Sequence, residues 1–204
     1  MSGAGKGEKS TAHSIIELVV IVIVALGVAL GVQAFLIKPF KIPSASMVPT
    51  LEIGQRVLVN RLGTHFGDPE VGDILVFHPP KGAALNECGA RHAADQACFM
   101  PTPGNADVNY IKRVVGVPGD TLRIVGGHVI RNGKRESDSY IAPCGGSSAC
   151  NLPRPFKVPP GHYFMMGDNR GESDDSRYWG PVAKDAIIGD AFATYWPPDR
   201  IGLL

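Results

Sequence analysis

The stretch TLRIVGGHVIRNGKRE, Thr121–Glu136, decides the fold class. Short runs of alternating apolar and polar residues are joined by Gly126-Gly127 and by Asn132-Gly133. Two-residue joints of that composition make the tight turns of antiparallel hairpins. Reading outward, the same grammar repeats. Upstream stand YIKRVVGV (Tyr110–Val117, closed by Pro118-Gly119-Asp120), DILVF (Asp73–Phe77) and RVLVNRL (Arg56–Leu62). Downstream stand HYFMMGD (His162–Asp168) and AIIGDAFATYW (Ala186–Trp196). Each is short, rich in β-branched and aromatic residues, and bounded by Gly, Pro or Asp. With 25 Gly and 17 Pro in 204 residues, the composition favours many turns over a helical bundle. The soluble part therefore reads as mostly β and antiparallel, in one principal domain.

LVVIVIVALGVALGVQAFLI, Leu18–Ile37, breaks the pattern. Gln33 is its one polar side chain. A helix of this length covers ~30 Å, the thickness of a bilayer core. Because it is apolar on every face, a core helix of a soluble protein is a poor fit. No small-x-small cleavage site closes it, since Lys38-Pro39-Phe40 follows, so an uncleaved anchor fits better than a removed leader. The sequence thus predicts a disordered cytoplasmic tail over 1–13, a single transmembrane anchor helix over 14–37, and a β-rich domain over 38–204. Two turn-rich insertions stand at about 81–108 and 134–160.

Lys6 and Lys9 precede the anchor and Lys38 and Lys41 follow it, so the positive-inside rule gives no direction. The cysteines give one. Cys88, Cys98, Cys144 and Cys150 are even in number and form no C-x-x-C pair, which argues for disulfides over zinc. Disulfides persist in oxidising compartments, so residues 38–204 are expected on the extracytoplasmic side of the plasma membrane. Free structural cysteines are the alternative, and the connectivity stays open. The net charge of +1, with no Lys/Arg stripe, excludes a nucleic-acid partner.

The candidate chemistry lies in KPFKIPSASMVPTLEIG, Lys38–Gly54. Ser44 and Ser46 stand two residues apart, braced by Pro39, Pro43 and Pro49, where a flexible linker would be Gly/Ser-rich. No G-x-S-x-G elbow or S-x-x-K box is present. The histidines at 13, 65, 78, 92, 128 and 162 show no triad pattern and no metal-ligand spacing. A serine here needs another base. Lys112, inside the YIKRVVGV strand, suits that need if burial lowers its pKa toward neutrality. An edge lysine reaching to solvent is the structural alternative.

Four boxes in order behind an anchor carry a resemblance: IPSASMVPTL (Ile42–Leu51), VGDILVF (Val71–Phe77), YIKRVVGVPGD (Tyr110–Asp120) and MMGDNRGESDDSRYWGPV (Met165–Val182). Together they resemble the bacterial type I signal peptidases, over nearly all of residues 18–200. That resemblance implies a membrane-tethered, mostly β, antiparallel catalytic fold and a Ser/Lys dyad, with no metal or other cofactor. It implies Ser46 as nucleophile, Lys112 as general base, and the Ser44 hydroxyl in the oxyanion hole beside the Ser46 N–H. Ser173 would orient the lysine, Asp175 and Arg177 would form an ion pair, and Asp168 would pair with Arg113. Phe40, Ile42, Pro43, Met47, Leu51, Val57, Val76 and Ile111 would wall shallow pockets for small side chains. The implied partners are secretory precursor proteins, cut after small-x-small sequences, and membrane lipid; a monomer is expected. Trp179, Tyr195 and Trp196 fit either a lipid interface or the core. Asn109 and Gly171-Glu172 depart from the family's usual residues, and the Cys88/Cys98 insertion has no counterpart in it. Rival readings are another Ser/Lys protease, a tethered module that only binds signal peptides, and a specialised processing peptidase.

Overall fold

The computed structural model describes residues 11–63 and 67–204. The chain divides into two units, Met1–Ile37 and Lys38–Leu204. The expected tail over 1–13 lies, up to residue 10, outside the described residues.

In the first unit, helix α1 runs Thr11–Leu36. It starts upstream of the boundary the sequence suggested at 14. Its window His13–Gly31 is, among the described residues, the one helix long and apolar enough to cross a membrane. Its apolar side chains from Ile15 to Leu30 are exposed, as expected of a surface made for lipid rather than for a protein core.

The second unit is built from two antiparallel sheets. In the larger sheet the strands run in the order β1 (Ile37–Lys41), β2 (Arg56–Asn60), β11 (Ile187–Trp196), β3 (Ile74–Phe77), β4 (Tyr110–Gly116), β9 (His162–Met166) and β10 (Val182–Ala183). A short β12 (Gly202–Leu203) pairs with β11. The smaller sheet has the order β7 (Lys134–Arg135), β6 (His128–Arg131), β5 (Thr121–Val125) and β8 (Leu152–Lys157). Its two hairpins close where the sequence put them. Gly126 and Gly127, and Asn132 and Gly133, all have positive φ, the backbone that the primed hairpin turns require.

Four strands were not legible as strands: the two-residue β10 and β12, and β1 and β8, which both contain proline. β1 reads IKPFK and β8 reads LPRPFK. Each lies at the edge of its sheet, where a missing N–H costs no ladder bond. β7 and β8 also show that the 134–160 insertion contains part of the smaller sheet.

Among the described residues the core has three buried clusters. Leu75, Phe77, Val114, Met165 and Trp179 form one. Val115, Leu122, Ile124, Phe156 and Phe164 join the two sheets in a second. Ile42, Met47, Leu51, Val57, Val76 and Ile111 form a third, beneath the Ser44–Ser46 turn. Trp179 is fully buried, with its ring 6.0 Å from Phe77 and 6.4 Å from Tyr110. Of its two readings the core one holds. Trp196 is half exposed.

Candidate active site

Ser46 sits in a single 3-10 turn, Ala45–Met47, that follows β1. Ser44 precedes the turn in extended conformation and makes no side-chain capping bond. First-turn N–H groups have no partner within their own helix, so the Ser46 amide is free of intrahelical bonding. Behind the turn, Met47 and Leu51 are fully buried and fix its position. The Ser44 and Ser46 hydroxyl oxygens are 3.3 Å apart.

Lys112 reaches this turn from the middle of the sheet. β4 pairs with β3, with Leu75 opposite Lys112 and Ile74 opposite Arg113. Alternation along β4 sends Lys112 to the face of Tyr110 and Val114, against the Trp179 cluster. Lys112 is only 5% exposed. Its Nζ donates to Ser46 Oγ at 2.5 Å; with Nζ deprotonated, the same contact has the Ser46 hydroxyl donating to the amine lone pair. Burial pushes the Lys112 ammonium down to about 8, against the opposing pull of the Asp175 and Asp174 carboxylates. The result falls in the range a base needs near neutral pH.

The MGDNRGESDDSRYW segment packs beneath this pair. Gly167 admits no side chain: a Cβ there would lie 2.3 Å from the Ser46 carbonyl oxygen and 2.3 Å from Ser173 Oγ. Asp175 is fully buried. Its oxygens accept from Arg177 Nε at 2.7 Å and Nη2 at 2.8 Å, and from the Gly167 N–H at 3.0 Å. It also caps the short helix α2 (Ser176–Trp179), accepting from the Arg177 N–H. Burial opposes ionisation of Asp175, but the Arg177 guanidinium and the Gly167 N–H together hold its carboxyl below the usual range. Asp168 takes a two-pronged contact from Arg113, Nε at 2.9 Å and Nη2 at 2.7 Å, and accepts from Thr50 Oγ1 at 2.5 Å. The third Arg113 nitrogen donates to the Gly72 carbonyl, and the guanidinium lies 4.1 Å from the centre of the Tyr140 ring.

Ser173 Oγ is buried and, among the described residues, has no hydrogen-bond partner. Asn169 was singled out by no sequence argument. Its N–H donates to the Ser46 carbonyl at 3.1 Å and its Nδ2 to the Ala45 carbonyl at 3.2 Å. It thus pins the backbone of the Ser46 turn. Its place between Asp168 and Arg170 in a quoted box was the available signal.

Two clefts of about 310 Å³ each open at the site. One contains Ser46 and Lys112, with Pro43, Ser44, Ile111 and the carboxylates of Glu172 and Asp174 on its walls. The other is lined by Phe40, Ile42, Pro43, Val76, Val108 and Ile111. Both share Pro43, Asn109, Tyr110 and Ile111, so they adjoin. Of the eight expected wall residues, Met47, Leu51 and Val57 line neither cleft; fully buried, they form the packing behind it. A larger cleft of about 720 Å³, lined by Asp68, Glu70, Arg131 and Lys184 among others, contains none of these groups.

A hydroxyl, a buried amine within hydrogen-bond reach, and a paired hydroxyl beside a free amide are the parts of a nucleophilic hydrolase. The family model described as "Signal peptidase, peptidase S26" matches residues 15–196. The chain belongs to this family. A probable signal peptidase I-2 of Synechocystis sp. is 35% identical over 199 residues, covering 98% of this chain and 81% of the relative. A signal peptidase I of Leptolyngbya laminosa is 37% identical over 176 residues, covering 86% of this chain and 77% of the relative. A signal peptidase I of Pseudomonas fluorescens is 31% identical, covering 88% of this chain and 72% of the relative. The chain is accordingly a serine endopeptidase. The mostly β fold with one N-terminal apolar helix agrees with that assignment.

Proposed function

We propose that the protein is a membrane-anchored serine endopeptidase that removes N-terminal signal peptides from exported precursors, with Ser46 as nucleophile and Lys112 as general base. The observation that carries this reading is the 2.5 Å contact between Lys112 Nζ and Ser46 Oγ in an open cleft.

The reaction follows from the geometry. Neutral Lys112 takes the Ser46 proton as Oγ attacks the scissile carbonyl carbon. The carbonyl oxygen becomes an oxyanion, met by the Ser44 hydroxyl and the Ser46 N–H. Lys112 then gives its proton to the departing amine, leaving an acyl-enzyme on Ser46. Water enters and attacks the acyl carbon as Lys112 removes its proton; the Ser46 Oγ–carbon bond then breaks, Lys112 returns the proton to Ser46 Oγ, and the acyl group leaves as the carboxylic acid. Ser173 Oγ, buried and unpartnered, is available to accept from the Lys112 amine and orient it between steps. The Asp175–Arg177 and Asp168–Arg113 pairs hold the surrounding backbone.

The adjoining clefts, with apolar wall residues in each, support specificity for two small side chains of the precursor, in the small-x-small pattern. Phe40, Ile42, Pro43, Val76 and Ile111 are the residues proposed to meet them. Helix α1 is read as a single-pass anchor in the plasma membrane, the protein acting there as a monomer. An extracytoplasmic place for the β-rich unit is supported by two disulfides, Cys88–Cys98 and Cys144–Cys150, which persist in oxidising surroundings.

The test is incubation of the detergent-solubilised protein with a purified precursor bearing Ala-x-Ala, followed by mass analysis. The expected product begins just after the second Ala, and Leu in place of either Ala abolishes it. A cut elsewhere, or equal cutting of the Leu precursors, contradicts the reading.

A further inference from the structure

The insertion closed by Cys88–Cys98 plays no part in the dyad chemistry, yet it grips the segment that supports the dyad. The Cys98 N–H donates to the Arg177 carbonyl at 3.0 Å. Asn86, in left-handed conformation with φ 54°, donates from Nδ2 to Asp174 Oδ1 at 3.1 Å. At Gly180 the two backbones meet closely enough that a Cβ there would lie 2.8 Å from the Pro101 nitrogen.

From the other side, Arg177 Nη1 donates to the Ala149 carbonyl inside the Cys144–Cys150 loop at 3.2 Å. Arg177 is therefore held at its main chain by one bridged loop and at its guanidinium by the other. The Cys88–Cys98 loop is tied outward as well. Gln96 Nε2 donates to the Pro155 carbonyl at 3.0 Å, and the Arg154 N–H donates to the Asp95 carbonyl at 3.0 Å, both on β8. The loop thus spans from the smaller sheet to the support segment. Turn-rich chain of this kind holds such a register poorly unless its ends are joined, because a cross-link removes the open conformations.

We propose that the Cys88–Cys98 insertion is a positioning element for the catalytic base, holding Arg177, and through it the Asp175 carboxylate, where they wall off Lys112. This rests on the peptidase reading above. Opening the bridge lets the support segment loosen and water approach Lys112. The charged groups acting on Lys112 are Asp175, Asp174, Arg177 and Asp168, with burial the largest influence. Relief of burial favours the charged amine, so a loosened enzyme needs a higher pH to free its base.

The experiment compares the oxidised full-length protein in detergent with C88S/C98S, measuring kcat and KM on an Ala-x-Ala precursor across pH. Opening the bridge is expected to lower kcat by about tenfold, less than the roughly hundredfold that a full misplacement of about 1 Å can cost. KM should stay within about twofold and the acid limb of the kcat profile should move to higher pH. Should C88S/C98S fail to fold, the same readouts are taken on folded C144S/C150S before and after mild reduction of its remaining bridge. Reoxidation should restore the original profile. Equal kcat and an unmoved acid limb with the bridge open overturn the proposal. So does a loss confined to KM, or one that coincides with collapse of the near-UV dichroism, since the loop would then be a substrate wall or a plain staple of the fold. If the oxidised wild type is itself inert on precursors, the peptidase reading fails first and this inference falls with it. If it cleaves and the opened form cleaves equally, only the inference fails.

Discussion

Gly167 lies directly beneath the backbone of Ser46: a Cβ at residue 167 would come within 2.3 Å of the Ser46 carbonyl oxygen. The floor of the site is therefore a close contact of two backbones, with Ser173 Oγ equally near. Gly167→Ala should displace Ser46 by enough to lower kcat by about a hundredfold. KM should change far less. Wild-type turnover in Gly167→Ala would mean the Ser46 turn is not held from below.

Ser44 tests the oxyanion assignment. Its hydroxyl stands beside Ser46 Oγ at 3.3 Å and caps nothing in the turn. Losing one preorganised donor costs about 3 kcal/mol at the transition state. Ser44→Ala should thus reduce kcat by about a hundredfold with little change in KM and almost none in thermal stability. A fall in stability with full kcat would assign Ser44 to the fold instead.

The Lys112 amine makes activity and stability depend on pH in linked ways. Burial holds its pKa at about 8, against an ordinary lysine value near 10.4 in the unfolded chain. Below about pH 8 both states carry the proton, and the folded state bears the cost of a buried charge. Between about 8 and 10.4 the unfolded chain binds the additional proton, so this group makes stability rise with pH. At pH 7, Lys112→Met should raise unfolding stability by on the order of 2–3 kcal/mol while abolishing cleavage. Chemical denaturation at pH 7 and pH 10 checks it. A variant less stable than wild type at pH 7 would contradict it.

Asp175 and Arg177 are both buried and meet through two short bonds. Removing one partner leaves the other charge without compensation, at about 3–5 kcal/mol. Asp175→Ala should show that loss in denaturant unfolding. The double variant with Arg177→Met should recover part of it, because no lone charge remains. Equal stability of the single variant and the wild type would mean the pair is not formed.

Much of this arrangement was readable from residues alone, for reasons that differ by element. The hairpins at Gly126-Gly127 and Asn132-Gly133 were legible because few other sequences adopt positive φ in pairs. Lys112 stood out as a charge in an apolar strand. β1 and β8 were hidden by prolines that only an edge position excuses. Asn169 was hidden because it acts on the Ser46 and Ala45 carbonyls, which every residue carries. Met47, Leu51 and Val57 could be assigned to the apolar zone near the nucleophile. Whether each faced a cleft or the core behind it depended on packing between β2, β4 and the Ser46 turn. The contact between Cys98 and Arg177 joins residues far apart in the chain, and no local pattern announces it.

The account rests most on the Lys112–Ser46 contact, and one measurement addresses it directly: single-turnover cleavage of an Ala-x-Ala precursor by wild type, Ser46→Ala and Lys112→Ala from pH 5 to 10. The account predicts a wild-type rate that rises with pH along one acid limb near pH 8, where Lys112 loses its proton, and no cleavage above background by either variant. Cleavage by Lys112→Ala with that limb intact would contradict it, since another group would then be taking the serine proton.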